Sequence, residues 1–296
     1  MAAGSLEGRV VIVTGAARGL GRAYVEHLLA CGAMAVATDI DGAALSELAE
    51  EVGSDRLRAA AGDAADAQHV AEVVAATLSA WGHLDGVVAN AGLLRSGPIL
   101  RADPSDADVL MGVHVKGPFL LVREAGRYWR GEAKAGRARA AAAVLTTSSA
   151  GLYGFRGEAL YSAAKAAVAA FTLVAADELG RYGATVNAVA PVARTRLTAW
   201  LGDSTDDVDL HAPAHVAPLV GWLLAECARD VTGRIFEAGG GSIALVDGWR
   251  PVVERQLPHD PAAQDRALFE SIMAAAPAPR ALIEAVQSDD VRRVDT

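Results

Sequence analysis

Tyr161 and Lys165 stand four residues apart in Tyr-Ser-Ala-Ala-Lys, Ser148 precedes the tyrosine by thirteen residues, and far upstream the chain reads Thr14-Gly15-Ala16-Ala17-Arg18-Gly19-Leu20-Gly21. On a helix, that spacing puts a phenol and an ammonium on one face, where the cation favours the phenolate and lets Tyr161 exchange protons near neutral pH. The chemistry implied is acid/base work on a carbonyl or an alcohol. A lone Tyr-x-x-x-Lys recurs by chance on amphipathic helices. The ordered set of glycine loop, serine, tyrosine and lysine is what makes it specific.

The glycines follow an apolar run, Val10 to Thr14, and open a helical pattern. Gly15, Gly19 and Gly21, with Arg18 and Leu20 among them, let a pyrophosphate approach backbone amides and the positive end of a helix dipole. A bare strand-to-helix turn would use similar residues, but strand, loop and helix agree here on a dinucleotide site. Asp39 ends the next apolar run, eighteen residues past Gly21. A carboxylate there accepts hydrogen bonds from ribose hydroxyls and repels a 2′-phosphate, which favours NAD over NADP. Arg18 opposes it, because a guanidinium can pair that phosphate; at short range the repulsion from Asp39 is expected to prevail. Gly62-Asp63-Ala64 and Asn90-Ala91-Gly92 follow the third and fourth runs, at carboxyl ends of strands where ligands bind. Asp63 is placed to reach adenine and Asn90 to brace the loop beneath a nicotinamide. Each is equally suited to capping a turn or helix.

In this order and spacing, the motifs resemble the short-chain dehydrogenase/reductase family over Arg9 to about Glu237. The resemblance implies that Tyr161 donates or accepts the proton, that Ser148 hydrogen-bonds the substrate oxygen, and that Lys165 holds the nicotinamide ribose and lowers the phenol's pKa. Ser149 competes with Ser148 for the role; counting back thirteen from Tyr161 selects Ser148. Ile40, Ala64, Gly92, Val192 and Thr195 complete the implied NAD contacts. Two departures stand out. His114 occupies the place of the family's relay asparagine, and Pro191-Val192 replaces Pro-Gly, with Thr195 one residue closer to the proline than usual. His114 either passes protons, giving the rate a dependence near pKa ~6.5, or simply fills the core. Segments such as Val113-His114-Val-Lys-Gly-Pro-Phe119 and Gly233-Arg-Ile-Phe-Glu-Ala-Gly239 are similar to the dehydrogenase module of peroxisomal multifunctional enzyme type 2. That module oxidises 3-hydroxyacyl-CoA thioesters; the hydratase module that accompanies it is not expected in this chain. The resemblance thus implies an NAD-dependent enzyme interconverting a secondary alcohol and a ketone, on a 3-hydroxyacyl-CoA or a bulky hydroxy substrate. A ketoreductase of natural-product or carrier-bound intermediates, and a non-catalytic NAD-binding regulatory protein, are the alternatives.

The elements that must position these residues alternate along the chain. Strand-length apolar runs at Val10 to Thr14, Ala33 to Thr38, Arg58 to Ala61, Gly86 to Ala89, Ala142 to Thr147, Thr185 to Val189 and Arg234 to Glu237 are separated by helical patterns. The longest patterns are Ala107 to Trp129 and Tyr161 to Tyr182. Such alternation predicts an α/β fold, a Rossmann-like doubly wound parallel sheet of about seven strands in three α/β/α layers. One catalytic domain over 1–296 is expected, with 240–296 a helical extension packed on it, helices falling at Pro261 to Ala275 and Arg280 to Gln287. Gly131 to Ala143 reads as a surface loop and Trp200 to Pro213 as a lid over a pocket. With 52% hydrophobic residues but no apolar run long enough to span a bilayer, the chain is expected to stay off membranes. The start shows no export signal, so a cytoplasmic location is expected. Two cysteines without partners suggest neither disulfides nor zinc, and the histidines lack metal-ligand spacing. The net charge of −9 disfavours nucleic acid. Alanine-rich faces on the two long helices predict a homodimer or homotetramer.

Overall fold

In the computed structural model the described residues are 5–195 and 209–248, with 253, 270, 274 and 275. The chain divides into two compact units, Met1–Val246 and Asp247–Thr296. In the first, β1 (Val10–Thr14), β2 (Met34–Asp39), β3 (Leu57–Ala61), β4 (Gly86–Ala89), β5 (Ala141–Thr146), β6 (Ala184–Val192) and β7 (Ile235–Gly239) run parallel, and β8 (Ser242–Val246) pairs antiparallel with β7. The spatial order is β3-β2-β1-β4-β5-β6-β7-β8. Because the winding reverses between β1 and β4, a crevice opens at the carboxyl ends of those two strands.

β1, β2, β4, β5 and β6 are buried on both faces, so they read as unbroken apolar runs rather than as alternation. One core layer packs Tyr24, Val25 and Leu28 of α1 (Gly19–Ala30), Leu45 and Leu48 of α2 (Gly42–Val52), and Leu223 and Leu224 of α8 (Ala217–Leu224) against Val11 and Val13. The opposite layer packs Val70 and Val74 of α3 (Ala67–Trp81), Leu121 and Trp129 of α5 (Gly117–Lys134), and Val168 and Ala175 of α7 (Ala159–Gly180) against Ile12, Val87 and Leu145. At the edge away from the crevice, the buried Asp85 carboxylate accepts from Val10 N at 2.9 Å and from Arg139 Nε at 2.7 Å. That polar clasp pins β1, β4 and the approach to β5 together.

Several expectations need correction. Among the described residues the sheet has eight strands, one more than the seven or so expected. Ser242–Val246 was hidden because Gly239, Gly240 and Gly241, all at positive φ, interrupt the pattern before a strand whose Ile243 and Leu245 are exposed. The segment beginning at residue 240 is therefore strand before it is anything else. Ala107 to Trp129 is not one helix: α4 (Ser105–Met111) passes through a π-helical turn at Gly112–Lys116 into α5, where Gly117 N–H reaches back to Gly112 O. Helix α5 also runs on to Lys134, shortening the expected loop. Helix α7, at 22 residues, is long and apolar enough to cross a membrane by length and composition, contrary to the sequence reading; here it lies against the sheet. Glu270, Ala274 and Ala275 are helical, while the rest of the expected tail helices and most of the expected lid lie outside the described residues.

Candidate active site

The turn after β1 is built so that backbone, not side chain, lines the crevice. A Cβ on Gly15 would come within 2.6 Å of Ala91 Cα, and one on Gly21 within 2.0 Å of Gly15 O. Gly15 and Gly19 also sit at φ +64° and +53°, a region that side chains resist. Asn90 holds the turn from the β4 side: its Nδ2 donates to Thr14 O at 3.1 Å and to Gly15 O at 3.2 Å. Thr14 Oγ1 accepts from Asn90 N and Ala91 N at 3.0 and 3.1 Å. This is a tight amide-lined cradle at the start of α1, the arrangement a dinucleotide pyrophosphate needs. Thr195 closes its far side, its Cγ2 lying 3.5 Å from where a Cβ of Gly19 would be. Leu20 is half-buried behind the cradle, and Val192 sits at the end of β6, so close to Gly239 that its oxygen would be 1.9 Å from a Cβ there.

At the far end of the crevice, Asp39 spends one oxygen on Ala17 N and the other on Asp41 N, each at 3.0 Å. Ile40 beside it is 76% exposed, an apolar side chain laid open at the mouth. Asp63 accepts from Ala65 N at 2.8 Å, bracing its own turn, and Ala64 O lies against Gly117. Arg18 does not contest Asp39. Its Nη2 is 2.7 Å from Asp41 Oδ2, and Asp41 is itself fixed by accepting from Ala44 N as the N-cap of α2. Arg18 is thus paired with Asp41 rather than with Asp39.

Ser148, Tyr161, Lys165 and His114 come together at the carboxyl edge of β5. Ser148 is the N-cap of α6 (Ser149–Tyr153), its Oγ accepting from Ala150 N at 3.2 Å, and it also hydrogen-bonds the Tyr161 phenol. Lys165 lies one turn along α7 from Tyr161, fully buried, with Nζ donating to Thr146 O at 2.7 Å and standing 5.8 Å from the centroid of the tyrosine ring. Burial pulls the lysine down to about 7. Tyr161 moves the other way, up to about 12, chiefly through burial, with the Ser148 hydrogen bond pulling down and Glu158 pushing up. Lys165 Nζ is directed to a backbone carbonyl, and desolvation of the phenolate is the largest influence on Tyr161.

His114 is buried in the π turn, and its ring meets Tyr161 edge-on with centroids 5.2 Å apart. Its Nε2 is 2.7 Å from Leu93 O, which assigns the proton to that nitrogen; Nδ1 is buried and meets no hydrogen-bond partner among the described residues. Gly92 is what lets the imidazole in, since a Cβ there would be 2.7 Å from His114 Cε1. Burial first, then the nearby Lys165, lower the imidazole to about 3 despite the Leu93 bond, so it stays neutral. The sequence reading assigned none of these contacts to Thr14, Thr146, Leu93 or Asp41; the carbonyls of Thr14, Thr146 and Leu93 all accept in the site, and backbone carbonyls leave no mark in residue type.

A model of the short chain dehydrogenases matches residues 9–206. The chain belongs to the short-chain dehydrogenase family. It is 38% identical to hydroxyacyl-CoA dehydrogenase ChsB1 of Mycobacterium tuberculosis, over 88% of this chain and 86% of that one. With mouse peroxisomal multifunctional enzyme type 2 it shares 34% identity over 80% of its length, spanning about a third (32%) of that longer enzyme. Among solved structures, a short chain dehydrogenase from Mycobacterium avium matches with a TM-score of 0.82 and 38% identity, covering 94% of this chain and 98% of that one. A 3-ketoacyl-(acyl-carrier-protein) reductase from Brucella melitensis, complexed with NADH, matches with a TM-score of 0.72 and 27% identity, covering 80% and 99%. The protein is an oxidoreductase acting on CH–OH groups.

An imidazole held neutral cannot produce an acid limb near pH 6.5. Profiles of kcat against pH for wild type and His114→Asn are therefore expected to superimpose above pH 5, and an imidazole limb in wild type alone would restore the proton relay. Stability should separate the two proteins instead. Between about 3 and 6.5 the unfolded chain binds a proton at His114 that the folded chain refuses, so stability falls with falling pH by roughly 1.4 kcal/mol per unit. Urea unfolding across that window should lose this slope in His114→Asn.

Proposed function

We propose that the protein is an NAD-dependent 3-hydroxyacyl-CoA dehydrogenase whose proton-handling group is Tyr161. The observation that carries this reading is a buried phenol, hydrogen-bonded by Ser148 and one helical turn from Lys165, at the mouth of an amide-lined cradle. Its likeness to a hydroxyacyl-CoA dehydrogenase over most of both chains supports the substrate class. When bound, NAD supplies the hydride-accepting nicotinamide. The chain would supply the rest: the Gly15–Gly21 turn would offer amides to the pyrophosphate, Asp39 would serve the ribose, and Lys165 the nicotinamide side. Ser148 then orients the substrate oxygen toward Tyr161. A phenol held protonated up to about pH 12 is suited to donating to a ketone oxygen. In the oxidative direction the same oxygen would take up the hydroxyl proton, so a ketoreductase of carrier-bound chains on the same residues is the second reading.

Asp39 and Asp41 support NAD over NADP by different means. One carboxylate repels a 2′-phosphate; the other holds Arg18, the group that would welcome it. The ion pair is exposed, so its hold is modest. A second copy of the chain is the partner proposed for α5 and α7, where Phe119, Leu173 and Val174 are about half exposed beside a groove lined by Val122, Phe171 and Leu179.

Tyr161→Phe should remove roughly 100- to 10,000-fold of acetoacetyl-CoA reduction, the usual size of a proton-transfer contribution, with NADH affinity within twofold. Near-wild-type turnover would rule Tyr161 out, and turnover only with acyl-carrier-protein thioesters would select the ketoreductase. By fluorescence titration, wild type should bind NADH more tightly than NADPH. Asp39→Ser should narrow the gap, and Asp39→Ser/Asp41→Ala should narrow it further by freeing Arg18. An unchanged ratio in the double variant would show that Arg18 does not reach the phosphate. Multi-angle light scattering should find a dimer or tetramer at micromolar concentration, and Val174→Glu should shift it toward monomer.

A further inference from the structure

Among the parallel strands β7 carries an acid, Glu237, in an otherwise apolar run, Ile-Phe-Glu-Ala. It is 6% exposed and lies between Ala190 of β6 and Ala244 of β8. Nothing in the proton or hydride chemistry uses it. A carboxylate buried this deeply is costly unless its oxygens are hydrogen-bonded, and both are. Ser149 Oγ donates to Oε1, and Tyr153 OH donates to Oε2 at 3.4 Å.

The two donors are the first and last residues of α6, four apart and so on one face of a single turn. A helix of five residues has no stability of its own. It is held from outside on two sides. Toward α7, Gly151 is pressed onto the backbone at Lys165: a Cβ there would lie 2.5 Å from Lys165 C and 2.7 Å from Ala166 N. Toward the sheet, the Glu237 carboxylate grips both ends. Ser148 is the cap residue of this same helix, and its hydroxyl direction follows the helix that it caps.

We infer that Glu237 is a positioning residue, which sets the Ser148 hydroxyl against Tyr161 by clamping α6 through Ser149 and Tyr153. The inference rests on the proposed roles of Ser148 and Tyr161. Geometry, rather than charge, is what the clamp supplies, because glutamine can serve both hydroxyls, accepting from one and donating to the other.

The test uses the full chain, NADH and acetoacetyl-CoA, with Glu237→Leu and Glu237→Gln. Glu237→Leu should lower kcat at least tenfold while the Kd for NADH stays within twofold, and Glu237→Gln should keep at least a third of wild-type kcat. A second readout needs no turnover. In protein labelled with [13Cζ]tyrosine, the Tyr161 signal, assigned with Tyr161→Phe, should move in Glu237→Leu as it moves in Ser148→Ala. Wild-type kcat in Glu237→Leu, a parallel loss of NADH binding, or a Tyr161 signal that stays put would each overturn the inference. If Glu237→Leu does not fold, Ser149→Ala removes one of the two bonds from the helix side; it should shift the same signal and lower kcat, and wild-type values for both would overturn the clamp. If wild type does not reduce acetoacetyl-CoA, the activity reading falls, and the tyrosine signal alone decides whether Glu237 positions Ser148.

Discussion

Lys165 is buried to 3% exposure with its ammonium on a main-chain carbonyl at the end of β5, and the site is assembled around that one costly placement. The same residue's carbonyl accepts from Thr147 Oγ1 at 2.7 Å, and its backbone is the surface that Gly151 packs against. One residue thus ties the last turn of β5, the serine-bearing helix and the tyrosine-bearing helix into a single body. Desolvation of the lysine works against its charge. A group so placed is held ready for hydroxyl partners that would satisfy its remaining donors.

Desolvation also explains why three ionisable neighbours depart from their ordinary behaviour together. The phenol is raised, the imidazole lowered and the ammonium lowered, in each case mainly because burial disfavours the charged form. Burial at this site therefore favours neutral tyrosine and neutral histidine. The π turn at Gly112–Lys116 is the backbone device that brings His114 there. By taking one extra residue into a turn, it rotates the imidazole under Tyr161 without ending the helix on either side.

Most of the fold was legible because parallel strands and their crossover helices leave two distinct periods in the sequence. β1, α3 and β4 fall where the apolar runs place them. The π turn was not legible, since hydrophobic spacing continues through it and only the flanking Gly112 and Gly117 hint at a break. β8 escaped for a different reason: an edge strand with one neighbour has little to bury, so its pattern is weak. In the site, residue identities were readable from spacing, and the structure brings Ser148, Tyr161, Lys165 and His114 together. Their electrostatic states were not readable, because burial depends on contacts such as Gly92 with His114 that join distant parts of the chain.

The two halves of the site are built from different materials, and that division follows from what each must tolerate. The cofactor side is backbone against backbone, with Gly15, Gly21 and Asn90 packed so closely that an added methyl at either glycine would collide. Such a surface admits one ligand shape. The substrate side is loop and side chain: Gly97 N donates to Gly157 O at 2.7 Å, joining the segment after Asn90 to the segment before α7. Beyond that joint, Ile99 and Leu100 are among the most exposed large apolar side chains of the described residues, at 72% and 95%. A surface built from loops is less tightly fixed than one built backbone against backbone. Positional accuracy at the reacting oxygen must then come from the boundary between the halves, which is where Ser148 and the short helix behind it stand.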